Sequence, residues 1–276
     1  MRRTAGAGIV GLWLLAMIGS DGFAAGQASR PAENPWRFGS SYLKGAAADF
    51  KEIFSAPARW EKADWAVFAA LAGAGGLLFA FDGELYDAVQ KSKTPGSVDA
   101  SGVISKFGNG GFLAGFMGLL YASGEIFDER PLRRTALLCL ESFIATGAIV
   151  WAGKTVVGRA RPIAGLGPSA FRPFSARNAH HSFPSGDASA VFAVASVIAA
   201  ESDSPVVDAL AYGMAGLAAV WRVHDRKHWP ADVFVGSVLG IVIGRKVVSL
   251  HRGGGGGLGV SIQTGRNPFL GLRFSF

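Results

Sequence analysis

The sequence contains a single cysteine, Cys139, among its 276 residues. One cysteine cannot form an intramolecular disulfide, and it has no cysteine partner for a metal site. Because Cys139 lies inside an apolar stretch, we interpret it as a small buried residue. Charged residues are also scarce, at 17% of the chain, whereas half of the residues are hydrophobic. This composition excludes a disordered chain and indicates a folded protein with several apolar helices.

The chain also lacks a long basic tract, although its formal net charge is +7. Its lysines and arginines stand in short groups at the ends of apolar stretches. Charge that is distributed in this way favours a membrane or an anionic ligand as the partner, and it argues against nucleic acid.

The N-terminal segment has the layout of a secretory signal peptide. Arg2 and Arg3 precede an apolar stretch over residues 5–18, and small residues follow at 24–28. We assign residues 1–26 to a signal peptide or an N-terminal anchor. Residues 27–64 are a polar lead-in segment that is expected to contain a loop and a short amphipathic helix.

Six apolar runs lie between residues 65 and 250. They cover residues 65–81, 107–123, 135–153, 188–200, 206–221 and 233–244. A helix needs about 20 apolar residues to span hydrocarbon, so runs of this length fit either membrane spans or buried helices of a soluble protein. We predict an all-α fold, a bundle of about six apolar helices over residues 65–250.

The positions of the basic residues suggest an orientation in the membrane. Residues 128–134 and 245–252 are rich in arginine and lysine, which places both segments in the cytoplasm of a bacterial cell. The polar clusters between the other runs would then face the periplasm from the inner membrane. A cleaved signal peptide followed by three full spans contradicts this orientation. Three alternatives stay open: the N-terminal segment is retained, the first apolar run does not span the membrane, or the whole bundle is soluble in the periplasm.

The C-terminal residues 251–276 differ in character from the rest of the chain. Glycines at 253–257 predict a flexible linker. Apolar residues then alternate with other residues on both sides of residues 265–268, a pattern typical of a β-hairpin. We expect a short hairpin appended to the helical domain.

The first of three polar clusters contains Lys154 and Arg161, followed by Pro162. Residues seven apart lie on the same face of a helix, and Pro162 helps to end that helix. A lysine ammonium beside an arginine guanidinium suits a phosphate group with several oxygens. Cations that only complement a helix C-terminus are the simpler explanation of this cluster taken alone.

The second cluster is Ser182-Phe-Pro-Ser185-Gly186-Asp187, and an apolar run follows it directly. Ser185 is well placed as a helix N-cap, and Gly186 lets an anion approach the free backbone amides of the first turn. An ordinary capped helix without a ligand is the alternative.

The third cluster contains Arg222, His228 and Asp232. An aspartate that is hydrogen-bonded to one imidazole nitrogen fixes the tautomer and makes the other nitrogen a better nucleophile. His228 and Asp232 are four residues apart, although Pro230 indicates that the helix begins near residue 230. The alternative is a solvated loop between helices.

Together, the three clusters resemble the phosphatidic acid phosphatase type 2 (PAP2) superfamily, which includes class A acid phosphatases and vanadium haloperoxidases. The resemblance covers residues 154–244 and implies an all-helical fold without metal or cofactor. It further implies that His228 attacks phosphorus and becomes a phosphohistidine, and that Asp232 orients it. The implied phosphate-binding residues are Lys154, Arg161, Ser185, Gly186 and Arg222.

Two positions depart from the family pattern. Trp221 replaces a serine, which we expect to matter little. Asp187 replaces the histidine that in the family protonates the leaving group. An aspartate at a helix N-terminus near three cations should stay ionised and be a poor acid. His180 or His181, just upstream, are candidates for supplying the proton instead.

The sequence therefore predicts a phosphatase for a phosphorylated lipid or a small phosphoester. We expect it to hydrolyse a phosphomonoester or pyrophosphate of a lipid-like substrate. A soluble periplasmic acid phosphatase of broad specificity is one alternative. A catalytically impaired, phosphate-binding member is another, because of Asp187. A vanadium haloperoxidase is disfavoured, since the chain is short for that branch. The oligomeric state stays open.

Overall fold

The computed structural model describes residues 36–252, and within this range the chain is helical without a β-sheet. The predicted N-terminal signal segment and almost all of the predicted C-terminal hairpin lie outside the described residues. The nine α-helices are α1 Ser40–Ser55, α2 Lys62–Ala80, α3 Asp82–Lys91, α4 Pro95–Ile104, α5 Gly110–Ile126, α6 Arg130–Val157, α7 Gly186–Glu201, α8 Pro205–His224 and α9 Pro230–His251. Short 3₁₀ helices occupy Ala56–Arg59, Pro162–Ala164 and Asn178–His180.

All six apolar runs are helical, so the predicted all-α fold is confirmed. They correspond in chain order to α2, α5, α6, α7, α8 and α9. Helix α1 is the amphipathic helix of the lead-in segment, and it buries Tyr42, Ala46 and Ile53. Helices α3 and α4 were not predicted, because each has only ten residues and contains no long apolar run.

Helix α7 lies at the centre of the fold and packs against α6, α8 and α9. Three glycines of α9, four residues apart, face it: Gly236, Gly240 and Gly244. A Cβ atom at any of these positions would collide with a backbone oxygen of α7. Small residues at this spacing let two helix backbones approach closely. The close packing of α7 and α9 holds the first turns of the two helices side by side.

Helix α6 ends earlier than the spacing of Lys154 and Arg161 predicted. Gly158 follows the helix with a φ of 61°, in the left-handed region, and its amide bonds to the Lys154 carbonyl. A side chain at Gly158 would overlap the carbonyl of Arg172. The expectation that Lys154 and Arg161 share a helix face is therefore wrong. Lys154 lies on the last turn of α6, and Arg161 lies in the extended segment that follows.

Among residues 36–252, four helices are long and apolar enough to cross a membrane: α2, α6, α8 and α9. Helix α2 is the most exposed of them, with only 6% of its most apolar 18 residues buried. Trp65 and Leu77 on this helix are 51% and 63% exposed. A contiguous apolar surface of this kind is unfavourable in water and is typical of contact with a membrane or another apolar partner. The described residues thus have the surface of a membrane protein.

Candidate active site

The three polar clusters of the sequence meet at one end of the helical bundle, around His228. This histidine is 1% exposed and lies in the loop between α8 and α9. Burial lowers the pKa of His228 well below its usual value, and the nearby charges of Lys154, Arg161 and Arg222 lower it further. The ring is therefore neutral at pH 7, which leaves one nitrogen with a lone pair.

A backbone carbonyl sets the tautomer of His228. Its Nδ1 lies 2.7 Å from the carbonyl oxygen of Ser182. A carbonyl oxygen only accepts hydrogen bonds, so Nδ1 carries the proton and Nε2 carries the lone pair. The predicted hydrogen bond from the His228 ring to Asp232 is not the one that forms, since Oδ2 of Asp232 lies 3.9 Å from Nδ1. His228 precedes the helix that starts at Pro230, so the expected helical contact between residues four apart does not apply.

Asp232 acts on His228 through Ser182. Its Oδ2 accepts hydrogen bonds from the Ser182 hydroxyl at 2.5 Å and from the Trp229 amide at 2.9 Å. Its backbone carbonyl also accepts from the Ser185 amide at 2.9 Å. Asp232 thus fixes the segment that presents the Ser182 carbonyl to the imidazole. In this geometry Asp232 is a positioning residue.

A buried arginine that the sequence did not predict as part of the site lies between two carboxylates. Arg159 is 1% exposed and pairs with Asp232 Oδ1 and with Asp82 Oδ2, each at 2.6 Å. Asp82 also accepts from the Ala231 amide at 2.8 Å, at the start of α9. The guanidinium lies 4.5 Å from the ring centroid of Phe79. Arg159 lies within the first cluster, two residues before Arg161, but no local pattern connects it to Asp82.

Backbone contacts of the loop before α7 position two of the predicted phosphate-binding cations. Lys154 donates from Nζ to the carbonyl of His181 at 2.6 Å. Arg161 donates to the backbone and side-chain oxygens of Asn178, each at 3.1 Å. The ring of His181 lies 2.7 Å from the Ser175 carbonyl, and His180 ends the short helix that contains Asn178.

The N-terminus of α7 has the predicted capping arrangement. Ser185 is fully buried, and its hydroxyl accepts from the Ala188 amide at 3.4 Å. A Cβ atom on Gly186 would lie 3.5 Å from Cε of Lys154. The glycine therefore brings the first backbone amides of α7 close to the lysine. Amides at a helix N-terminus and an ammonium group together favour an anion.

Asp187 is paired with one of the predicted phosphate ligands. Its Oδ2 lies 2.7 Å from Nη2 of Arg222, whose side chain is 6% exposed. Arg222 also donates to the carbonyl of Ser105 at 3.4 Å. The residue that replaces the family histidine thus pairs with Arg222, one of the predicted phosphate-binding residues.

Comparison with protein families identifies the core of this fold. Residues 135–253 match the model of the PAP2 superfamily. The resemblance that the three clusters suggested is confirmed, and the PAP2 match includes every predicted site residue from Lys154 to Asp232.

Three known proteins are similar to parts of this chain. A lipid A 1-phosphatase from Porphyromonas gingivalis is 32% identical over 100 residues, which are 36% of this chain and a fifth of that protein. A crystal structure of Aquifex aeolicus LpxE has a TM-score of 0.49 at 23% identity, over 60% of this chain and 93% of that one. A crystal structure of a transmembrane PAP2-type phosphatidylglycerolphosphate phosphatase from Bacillus subtilis has a TM-score of 0.53 at 22% identity. The similarity covers 66% of this chain and 94% of that one. At this identity the last comparison establishes a shared fold.

Proposed function

We propose that the chain is a membrane phosphatase that hydrolyses a phosphomonoester or pyrophosphate of a lipid-like substrate through a phosphohistidine at His228. One observation carries the proposal: a buried, neutral imidazole lies within the electrostatic field of Lys154, Arg161 and Arg222. A neutral nucleophile surrounded by cations is suited to a substrate that brings its own negative charge.

The reaction has two displacements at phosphorus. Nε2 of His228 attacks, the bond from phosphorus to the leaving oxygen breaks, and that oxygen takes up a proton. Water then attacks the phosphohistidine, the phosphorus–nitrogen bond breaks, and inorganic phosphate leaves. The three cations stabilise charge on the equatorial oxygens. The ring gains positive charge in the first step, so its Nδ1–H donates more strongly to the Ser182 carbonyl.

The surroundings of the site favour a substrate with an apolar tail. A cavity lined by Phe107, Phe112, Phe116, Val191, Ile198 and Met214 runs between α5, α7 and α8. Gly108, which follows Phe107, lies against Asp187. A Cβ atom on Gly108 would be 3.3 Å from the Cβ atom of Asp187. The cavity thus begins beside the cationic pocket. The named relatives act on lipid A and on phosphatidylglycerolphosphate.

The phosphatase domain extends upstream of the matched residues in this proposal. Asp82 precedes residue 135, yet its carboxylate pairs with Arg159 and accepts from Ala231 inside the matched segment. A phosphatase domain over residues 65–250 includes both Asp82 and its partners. By the distribution of basic residues, we place the domain in the inner membrane with the site toward the periplasm.

A phosphate-release screen tests the substrate class. We expect the purified protein in detergent to have a kcat/KM at least about tenfold higher for lipid phosphates than for p-nitrophenyl phosphate, because binding of the tail contributes to transition-state stabilisation. Equal values for both classes, together with extraction of the protein without detergent, would instead identify a soluble acid phosphatase of broad specificity.

The pair formed by Asp187 and Arg222 favours a second candidate function, a phosphate-binding member with little or no turnover. The Asp187 carboxylate is paired with Arg222 and therefore competes with a phosphate group for this guanidinium. Such a protein would bind lipid phosphates through the remaining cations and release no phosphate.

Substitutions of Asp187 distinguish an active phosphatase from an impaired one. We expect Asp187→His to raise kcat by roughly 10- to 100-fold, because an imidazole next to the leaving oxygen can donate a proton. Asp187→Asn is the matched control, since it removes the charge without supplying an acid. If both variants lose about 100-fold in kcat, Asp187 is itself the acid. If only the histidine variant releases phosphate, the natural protein is the impaired form.

A further inference from the structure

A second buried polar cluster lies far from His228 along the helices. Asp49 of α1, Glu141 of α6 and His251 of α9 each place one ligand atom within 4.8 Å of the others. Glu141 precedes Lys154 by 13 residues on α6, which corresponds to about 20 Å at the rise of an α-helix. His251 ends α9, whose first turn carries Asp232. The cluster is therefore separate from the phosphate pocket.

Glu141 is the member whose environment needs explanation. Its side chain is fully buried, and among residues 36–252 no N–H or O–H group donates to either of its carboxylate oxygens; its acidic neighbour is the Asp49 carboxylate. Nε2 of His251 lies 4.0 Å from its Oε2. A buried carboxylate without a hydrogen bond or a close cation is strongly disfavoured. Glu141 therefore points to a positively charged group between these three side chains.

The geometry of His251 allows its neutral ring to present a lone pair to such a group. Its Nδ1 lies 3.1 Å from the carbonyl oxygen of Val247, so Nδ1 carries a proton, and in the neutral ring Nε2 is the nitrogen with the lone pair. Nε2 in turn lies 3.4 Å from Oδ2 of Asp49. The Trp36 ring packs at 5.2 Å on the imidazole and holds its orientation. A histidine whose far nitrogen bonds to a carbonyl is typical of metal ligation.

We propose that Asp49, Glu141 and His251 bind a divalent transition-metal cation such as zinc. Two carboxylates and a neutral imidazole balance a charge of +2, and this mixture of oxygen and nitrogen ligands suits zinc better than calcium or magnesium. Ligands of tetrahedral zinc at about 2.05 Å lie about 3.3 Å apart. The separation of Nε2 and Asp49 Oδ2, 3.4 Å, fits this value, and Oε2 of Glu141 lies 4.0 Å from Nε2. The ion would join α1 to α6 and α9.

A proton shared between Asp49 and Glu141, beside a charged His251, is the competing arrangement. Measuring the bound metal distinguishes the zinc site from the shared proton. The full-length protein, purified in detergent without a polyhistidine tag, is stripped with EDTA and dialysed against zinc. We expect about one zinc per chain by mass spectrometry of the metal content, and a higher unfolding temperature in zinc than in EDTA.

Two ligand variants and one control complete the test. Glu141→Gln and His251→Gln should each weaken zinc binding at least about tenfold. His180→Gln removes a histidine outside the cluster and should bind zinc as the natural protein does. If the natural protein binds less than about a tenth of an equivalent and EDTA leaves its unfolding temperature unchanged, the proton-sharing arrangement is correct. Binding that persists in both ligand variants would equally overturn the proposal.

Discussion

Replacing His228 by asparagine should lower the turnover number for phosphate release by at least about 10³-fold while the protein stays folded. Asparagine keeps a donor that can reach the Ser182 carbonyl, so the hydrogen bond now made by Nδ1 can persist. It lacks a nitrogen lone pair in the position of Nε2, so no covalent intermediate can form. The loss therefore measures nucleophilic catalysis more directly than replacement by alanine, which also opens a cavity in a fully buried site.

Separate measurements of kcat and of phosphate binding give this experiment its specificity. The cations Lys154, Arg161 and Arg222 are unchanged in the His228→Asn variant, so competitive inhibition by inorganic phosphate should change only a few-fold. A loss of folding would instead weaken phosphate binding and lower the unfolding temperature. The nucleophilic role of His228 is excluded if the folded asparagine variant keeps more than about a tenth of the natural kcat.

The long helices could be predicted from the sequence because each contains an apolar run. Helices α3 and α4 could not, since they are stabilised by contacts with α8 and with the loop after it. Ser101 of α4 donates to the Asp225 carboxylate, and Gln90 of α3 donates to the Val223 carbonyl at 3.0 Å. These partners are more than 120 residues distant in the chain, so no local pattern encodes them.

The set of residues that meet around His228 was predictable for a different reason. Lys154, Arg222 and His228 stand in short clusters at the ends of apolar runs, and a bundle places such ends together. The hydrogen-bond partner of His228 was not predictable, because the loop that carries Ser182 reaches it only in the folded chain. Asp82 was missed since its position at the start of a helix has an ordinary explanation, the helix dipole.

The second large effect concerns Arg159, whose replacement by methionine should destabilise the folded protein by about 3–5 kcal/mol. The substitution leaves the carboxylates of Asp82 and Asp232 buried in the same region without their shared cation. Both carboxylates keep other hydrogen bonds, but none of those donors carries a full charge. Chemical unfolding of the detergent-solubilised protein measures the change. Arg177→Met, on the exposed loop, should stay within about 0.5 kcal/mol of the natural protein.

A double variant tests whether the loss comes from uncompensated charge. Asp82→Asn removes one carboxylate but keeps an oxygen that can accept from the Ala231 amide. Combined with Arg159→Met, it should restore at least about 1 kcal/mol of the lost stability, because only one buried charge is then unpaired. The turnover number should stay low in the double variant, since Asp232 still lacks the guanidinium that fixes it and, through Ser182, fixes His228. Losses that simply add in the double variant would show that Arg159 stabilises the fold by packing on Phe79 and its neighbours.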